Sequence, residues 1–336
     1  DKFMDESLAY SVIDQCVELD VPSIKLNWRG ESLLHPKLPE FIRYAKGKGI
    51  LEVILNTNAT MLNKERSEAL IDAGLDLLIY SFDGATAQTY EKMRVGRFKD
   101  NRFEKVVENI KRFSKIRQKK ESPFPVTKIQ MILAEETYNE KELFYELFKD
   151  SVDLISTKAY SERGGKLRDL DHETKKKINT YLSNHKEYKN VEVEEIEIWR
   201  DQKGQLYISC ERLPCEQIFQ RLLVSYDGRV SMCCYEWENN YVLGVLSDRA
   251  IKNGNKDYEV VFDKVMNGAF GYERMQNVKR PKRHRNIPEK TNTLNGIWNS
   301  NALNNIREKH VTGKMDIVPV CKNCKNKETF KWNRIN

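Results

Sequence analysis

The first 160 residues alternate between short apolar runs and amphipathic stretches, and this alternation constrains the fold more than any other feature of the chain. Leu8, Val12, Ile13, Cys16 and Val17 fall at helical spacing and predict a helix over 7–19. Residues 23–28 read as a strand, and a helix follows from about 38 to 48. The cycle repeats with strands at 51–55, 75–82, 128–133 and 152–160, separated by helices at 63–73, 103–117 and 139–148. Strands and helices in this order form βαβ units and a parallel sheet, either a barrel or an open doubly wound one. In both, functional loops gather at the C-terminal ends of the strands. The polar turns 29–32, 56–60 and 83–84 fall there, and three turns on one rim predict a site. Residues after Gly84 read as a long polar connection to the next helix.

The second half is organised differently. Residues 164–190 are dominated by Lys, Arg, Asp and Glu and read as a linker with one exposed helix. Asp227-Gly228 between 222–226 and 229–232 is a hairpin signal. Residues 248–292 look like an insertion containing the basic run 279–285, read as a solvated loop; contact with a phosphate-bearing substrate or carrier is the lesser reading. A helix over 299–310 leads to the last cysteines. The expected domains are 1–163, a linker over 164–204, and 205–336 with its insertion.

The chain has seven cysteines. Cys321 and Cys324, two residues apart, can grip one metal centre from a single turn, and Cys215 and Cys233 from a distant hairpin would complete a four-thiolate set. No signal peptide is visible and no apolar run approaches the ~20 residues of a membrane span. Metal ligation is therefore expected over a disulfide framework, in a cytoplasmic protein with no membrane partner. Cys16 reads as a small buried hydrophobe. The net charge of +7 suits an anionic substrate and is too small to argue for nucleic acid.

Three segments then carry a resemblance: Ile24 to Pro36 with its Arg29-Gly30-Glu31-Ser32 turn, Thr57-Asn58-Ala59-Thr60, and Ser81 to Arg94. In order and spacing they resemble the radical S-adenosylmethionine (SAM) enzymes. The tail resembles the SPASM or shorter twitch auxiliary-cluster domain of that family. It does so through Pro214-Cys215, Asp227-Gly228 with Cys233-Cys234, Leu243-Gly244, Ile297-Trp298-Asn299-Ser300 and the closing Cys-x-x-Cys. The resemblance implies an α/β fold: a partial (β/α)6 TIM-like barrel, its first strand and cluster loop missing, plus a small C-terminal α+β SPASM/twitch domain.

Carried over residue by residue, the resemblance implies that Gly30 and Glu31 form the turn meeting the SAM amino group, with Ser32 in place of the family's proline. Thr57 and Asn58 match the turn near the ribose and methionyl part, and Ser81 and Arg94 match positions holding the SAM carboxylate. Ser81 as a helix cap and Arg94 as a surface residue are the plainer readings. Cys215, Cys233, Cys321 and Cys324 match the ligands of one auxiliary [4Fe–4S] cluster, leaving Cys210 and Cys234 as spare thiols. A Zn(Cys)4 site would use the same spacing.

The family's radical-generating [4Fe–4S] cluster is held by a Cys-x-x-x-Cys-x-x-Cys loop, a motif that does not occur in these 336 residues. Residue 1 is Asp, and the expectation is that the loop lies upstream; the alternative is a homologue that has lost SAM chemistry. The resemblance implies an oxidoreductase-type enzyme in which a 5′-deoxyadenosyl radical abstracts hydrogen from a sugar, aminocyclitol or related small substrate. An external donor such as flavodoxin or ferredoxin would supply electrons. A peptide-modifying maturase is the alternative within the family, and a zinc-stabilised inactive scaffold the alternative outside it. His35 and Asp83 lie on loops as candidate acid, base or substrate-binding residues and read equally as structural, the first as a turn residue and the second as a helix cap.

Overall fold

A computed structural model describes residues 3–28, 30–94, 102–134, 136–159, 172–185, 196–200, 205–234, 241–254, 258–266, 273–281, 290–322, 324 and 329–335. The first part alternates α1 (Glu6–Glu18), β1 (Ser23–Lys25), α2 (Leu38–Gly47), β2 (Glu52–Thr57), α3 (Lys64–Asp72) and β3 (Leu77–Ser81). It continues with α4 (Ala87–Met93), α5 (Phe103–Lys119), β4 (Val126–Leu133), α6 (Lys141–Phe148) and β5 (Leu154–Ala159). The five strands form one sheet in the order β1-β2-β3-β4-β5, every pair parallel, with Ile24 opposite Val53 and Ile54 opposite Leu77. Sequential order without reversal decides between the two architectures left open by the sequence. Right-handed crossovers then return every helix to one face, as in a TIM-like barrel, whereas a doubly wound sheet reverses its order.

Strand alternation shows how that face is covered. Val53, Leu55 and Thr57 of β2 are buried, and Glu52, Ile54 and Asn56 between them are only half-buried. Helix α2 places Leu38, Phe41, Ile42 and Ala45 at i, i+3, i+4 and i+7, all buried in the same cluster as Val53 and Leu55. The first turn of α3 is closed by Asn63, whose Oδ1 accepts from the Arg66 N–H at 2.9 Å. Residues 87–93, read as polar connection, are the helix α4: the Thr86 hydroxyl caps it and Tyr90 and Met93 bury beneath it. Two apolar side chains in seven residues leave too faint a period to be seen in sequence.

One polar clamp ties the lower rim of the sheet. The Arg117 guanidinium meets both carboxylate oxygens of Asp153, at 2.5 and 2.7 Å, and Asp153 also accepts from the Thr127 backbone N–H at 2.6 Å. The hydrogen bond from Arg117, with help from Thr127, holds the Asp153 carboxyl down at about 2. A carboxyl depressed in the folded state stabilises fully above its ordinary value of 3.8 and loses that contribution as pH falls towards about 2. The gap in thermal midpoint between the wild type and Asp153→Asn is therefore expected to be constant near neutrality and to close below pH 3.8; a gap that stays open at pH 2 would contradict the assignment.

Beyond β5 come α7 (His172–Asn184), β6 (Glu197–Arg200), β7 (Leu206–Ser209), α8 (Gln217–Gln220), β8 (Leu223–Val224), β9 (Arg229–Ser231) and β10 (Gly244–Val245). Then follow α9 (Asp248–Gly254), β11 (Tyr258–Met266), β12 (Glu273–Pro281), α10 (Leu294–Trp298), α11 (Asn301–Val311), α12 (Pro319–Lys322) and β13 (Asn333–Ile335). The strands form a β10-β9-β8 sheet, a β13-β7-β6 sheet and the β11-β12 pair. The chain divides into two compact units: Asp1–Tyr160 with Val224–Val230 and Gly244–Ile297, and Ser161–Leu223 with Ser231–Leu243 and Trp298–Asn336.

Two expectations are corrected here. Helix α7 is not exposed all round: Ile178 and Leu182 are buried with Ile196, Leu206, Ile208 and Ile335 in a core of the second unit. The basic run is not wholly a loop, since Lys279 and Arg280 lie in β12, opposite Val260 and Glu259. Residues 282–285 of that run lie outside the described residues. Among the described residues, no helix is long and apolar enough to cross a membrane.

Candidate functional site

At the C-terminal end of the parallel sheet, the loops after β1 and β2 are joined through one carboxylate. Glu31 accepts from the Leu33 N–H at 3.1 Å and the Thr57 hydroxyl at 2.7 Å through Oε1, and from the Asn58 N–H at 2.9 Å through Oε2. Burial pushes the Glu31 carboxyl up, while these hydrogen bonds and the charge of Arg94 pull the other way. Asn58 in turn folds its own loop, its Oδ1 accepting from the Thr60 N–H and hydroxyl at 3.0 and 2.7 Å. Gly30 sits at φ +77°, and a Cβ placed there would meet nothing within 4 Å, so the turn stands open on its outer side.

The loop after β3 is fixed from beneath. Phe82 is fully buried among Tyr90 at 4.4 Å, Phe148 at 5.0 Å and Phe103 at 5.8 Å between ring centres. Asp83, 4% exposed, accepts from Arg94 Nε at 3.0 Å and Nη2 at 2.7 Å through one oxygen, and from the Ile132 N–H at 2.8 Å through the other. Asp83 is thus an ion-pair partner and not a helix cap; Thr86 caps α4. Ser81 ends β3 half-buried. Gly84 has no substitute, because at φ +115° a Cβ would come 2.8 Å from the Tyr90 backbone nitrogen.

Of the six loop residues singled out in sequence, Glu31, Thr57 and Asn58 touch directly, Gly30 adjoins them, and Arg94 lies within electrostatic reach of Glu31. Asn109 carried no sequence signal. Buried on α5, it donates to the Ala59 carbonyl at 2.8 Å and so anchors the same loop. His35 is the turn residue expected, with Lys37 N–H donating to Nδ1 at 3.1 Å.

The cysteines lie in the second unit. Cys321 is buried with Ile218, Met232, Leu303, Ile306, Met315 and Val318, and Cys233 packs half-buried on the same cluster. Cys324 closes a turn on it, its N–H donating to the Cys321 carbonyl at 3.1 Å. Burial, then the neighbouring Cys324 and Cys215, pushes the Cys321 thiol up to about 12, and burial with Cys324 also raises Cys215. Cys215 and Cys324 thus lie within electrostatic reach of Cys321.

Two further residues contact these cysteines. His310 Nδ1 accepts from the Cys215 backbone N–H at 3.1 Å, and its Nε2 lies 3.3 Å from Cys321 Sγ. Arg212 donates to the Cys321 carbonyl at 2.6 Å and to Asp316 at 3.1 Å. Two of the remaining three thiols are elsewhere: Cys210 packs on the α7 core, and Cys16 on the barrel core, where burial raises it to about 11, while Cys234 directly follows Cys233 in sequence. Among the described residues, no group of three or more His, Cys, Asp or Glu side chains is spaced to hold a single metal ion.

Comparison with known proteins agrees with both halves. The radical SAM superfamily matches residues 29–148, and the SPASM iron–sulfur cluster-binding domain matches residues 215–325. The chain belongs to the radical SAM superfamily and carries a C-terminal SPASM domain. It is 35% identical over 95 residues to a probable GTP 3′,8-cyclase of Methanococcus maripaludis, covering 28% of this chain and 31% of that protein. It is 39% identical over 82 residues to the AdoMet-dependent heme synthase of Methanosarcina barkeri, covering 24% of this chain and 23% of that one. The chain thus matches only a quarter to a third of the length of these curated relatives. Among solved structures, BtrN in complex with AdoMet and 2-DOIA is 15% identical with a TM-score of 0.48, covering 97% of this chain and 82% of that one.

Proposed function

We propose that the loops after β1, β2 and β3 bind SAM and that Cys215, Cys233, Cys321 and Cys324 hold one auxiliary [4Fe–4S] cluster of the twitch type. The enzyme would oxidise a sugar, aminocyclitol or related small substrate by hydrogen abstraction. The observation that carries the SAM half is the Glu31 clamp, which fixes two loops around an open Gly30 turn at the ligand-bearing end of a parallel sheet. The relative named as an AdoMet-dependent heme synthase supports the same cofactor.

When bound, the SAM and clusters supply one-electron reduction and a 5′-deoxyadenosyl radical. The chain's own residues bind and orient. Gly30 leaves its backbone accessible to the methionyl amino group, and Glu31 holds Thr57 and Asn58 in place beside it. Arg94 reaches a ligand carboxylate with its charge already balanced by Asp83, so its contribution there is oriented hydrogen bonding more than net charge. The thiol site suits a cluster by its donor chemistry: Cys321 and Cys233 share one apolar cluster, and Cys215 and Cys324 lie within electrostatic reach of Cys321. The turn 29–31 and the Asp83-Gly84-Ala85-Thr86 segment look closest to members acting on sugars or aminocyclitols, and peptide maturases share the same framework.

Glu31→Gln tests the SAM half. The amide turns an N–H towards one of three donors, so the loops lose their tie, at a cost of about 1.5–3 kcal/mol in stability. Isothermal titration is expected to show saturable SAM binding by the wild-type chain and at least tenfold weaker binding by the variant. Equal binding by both would remove Glu31 from the site, and no saturable binding by the wild type would remove the site itself. In a protein that also carries the Cys-x-x-x-Cys-x-x-Cys loop, deuterium passing from a labelled polyol into 5′-deoxyadenosine would identify the substrate class, whereas transfer from a labelled peptide alone would favour the maturase reading.

A further inference from the structure

The face of α11 that enters the thiol core carries Leu303, Ile306 and His310, so an apolar stripe ends in one imidazole. His310 is 1% exposed, and both of its ring nitrogens are engaged. The Cys215 backbone N–H can only donate, so Nδ1 must accept and the ring proton must lie on Nε2. That proton points at Cys321 Sγ, 3.3 Å away, within the range of an N–H···S hydrogen bond. A ring used in this way has no lone pair left for a metal. Arg212 fixes the backbone of the same cysteine by donating to the Cys321 carbonyl.

We propose that His310 is a positioning residue for the auxiliary cluster, its tautomer set by the backbone of one cysteine so that it hydrogen-bonds the sulfur of another. This rests on the reading of Cys321 as a cluster ligand. A thiolate ligand gains electron density when its cluster takes up one electron, and an N–H donor stabilises that more negative state. The hydrogen bond therefore raises the reduction potential, and a partner outside the ligand set tunes the centre. The arrangement also links the two cysteine segments, 106 residues apart in sequence, through one side chain.

The pair His310→Asn and His310→Gln separates the two functions of the ring. Asparagine keeps an acceptor near the Nδ1 position and cannot reach the sulfur; glutamine extends an N–H to the Nε2 position. The full chain is reconstituted anaerobically with iron and sulfide, assayed for both, and titrated with dithionite while the reduced cluster is followed by electron paramagnetic resonance. All three proteins are expected to load iron and sulfide equally. The Asn variant should be about tenfold harder to reduce at a given potential, a shift of about 59 mV to lower potential for one electron, and the Gln variant should stay near the wild type. Three identical potentials would overturn the proposal, as would equal shifts in both variants. Failure of the Asn variant alone to load would overturn the proposal too, because the ring would then be needed for assembly and not for tuning. A wild-type chain that takes zinc and no sulfide overturns the underlying cluster reading instead, and does so before any variant is made.

Discussion

Cys321→Ala is expected to abolish iron binding by the second unit while leaving SAM binding by the first largely intact. Cys321 lies at the centre of the thiol locus: it is coupled to Cys215 and Cys324, in van der Waals reach of His310, and packed on Met232, Leu303 and Val318. The metal-binding free energy of a four-thiolate site is of order 10 kcal/mol and is available only to the folded state. Its loss should leave that core melting well below the wild type, since the remaining apolar cluster is small. Iron and sulfide assays, with calorimetry of both units, read the effect. Equal loss of SAM binding would mean that the two units do not fold separately, and retained iron would remove Cys321 from the ligand set.

Asp83→Ala should produce the largest loss within the barrel. The side chain is 6% exposed and its partner Arg94 20%, so removing the carboxylate leaves a guanidinium in a poorly solvated place and the Ile132 N–H without its acceptor. Removing one member of a buried ion pair costs about 3–5 kcal/mol. Asp83→Asn keeps an oxygen for Ile132 and should lose less. Urea unfolding of the first unit measures both, and a loss below about 1 kcal/mol for the alanine variant would show that the pair is solvated.

The barrel half was legible because its elements obey one period each. Leu38, Phe41, Ile42 and Ala45 show a helix face, and the strand runs sit between turn residues, so sheet and rim follow from pattern alone. Helix α4 and the β11-β12 pair were not legible. The first buries two side chains, and in the second an apolar strand, β11, pairs with a strand, β12, rich in Lys, Arg and Glu that carries no strand pattern of its own. Sheet order was equally invisible, since periodicity says which residues face inward but not which strand lies beside which.

The site divides in the same way. The cysteines stood out through their spacing, and Gly30, Glu31, Thr57 and Asn58 through the resemblance of their turns to those of the radical SAM enzymes. What sequence could not supply were the supports: Asn109 under the β2 loop, Asp83 against Arg94, and His310 between two cysteines. Each is one polar residue whose function exists only through partners 11 to 95 residues away along the chain. Such a residue has no period and no motif of its own.

The most direct test of the central claim is the iron and acid-labile sulfide content of the anaerobically reconstituted chain. About four of each per chain, with the reduced protein giving a cluster resonance, is the result expected. One zinc per chain with no sulfide would contradict it, leaving the thiols as the structural site of a binding protein.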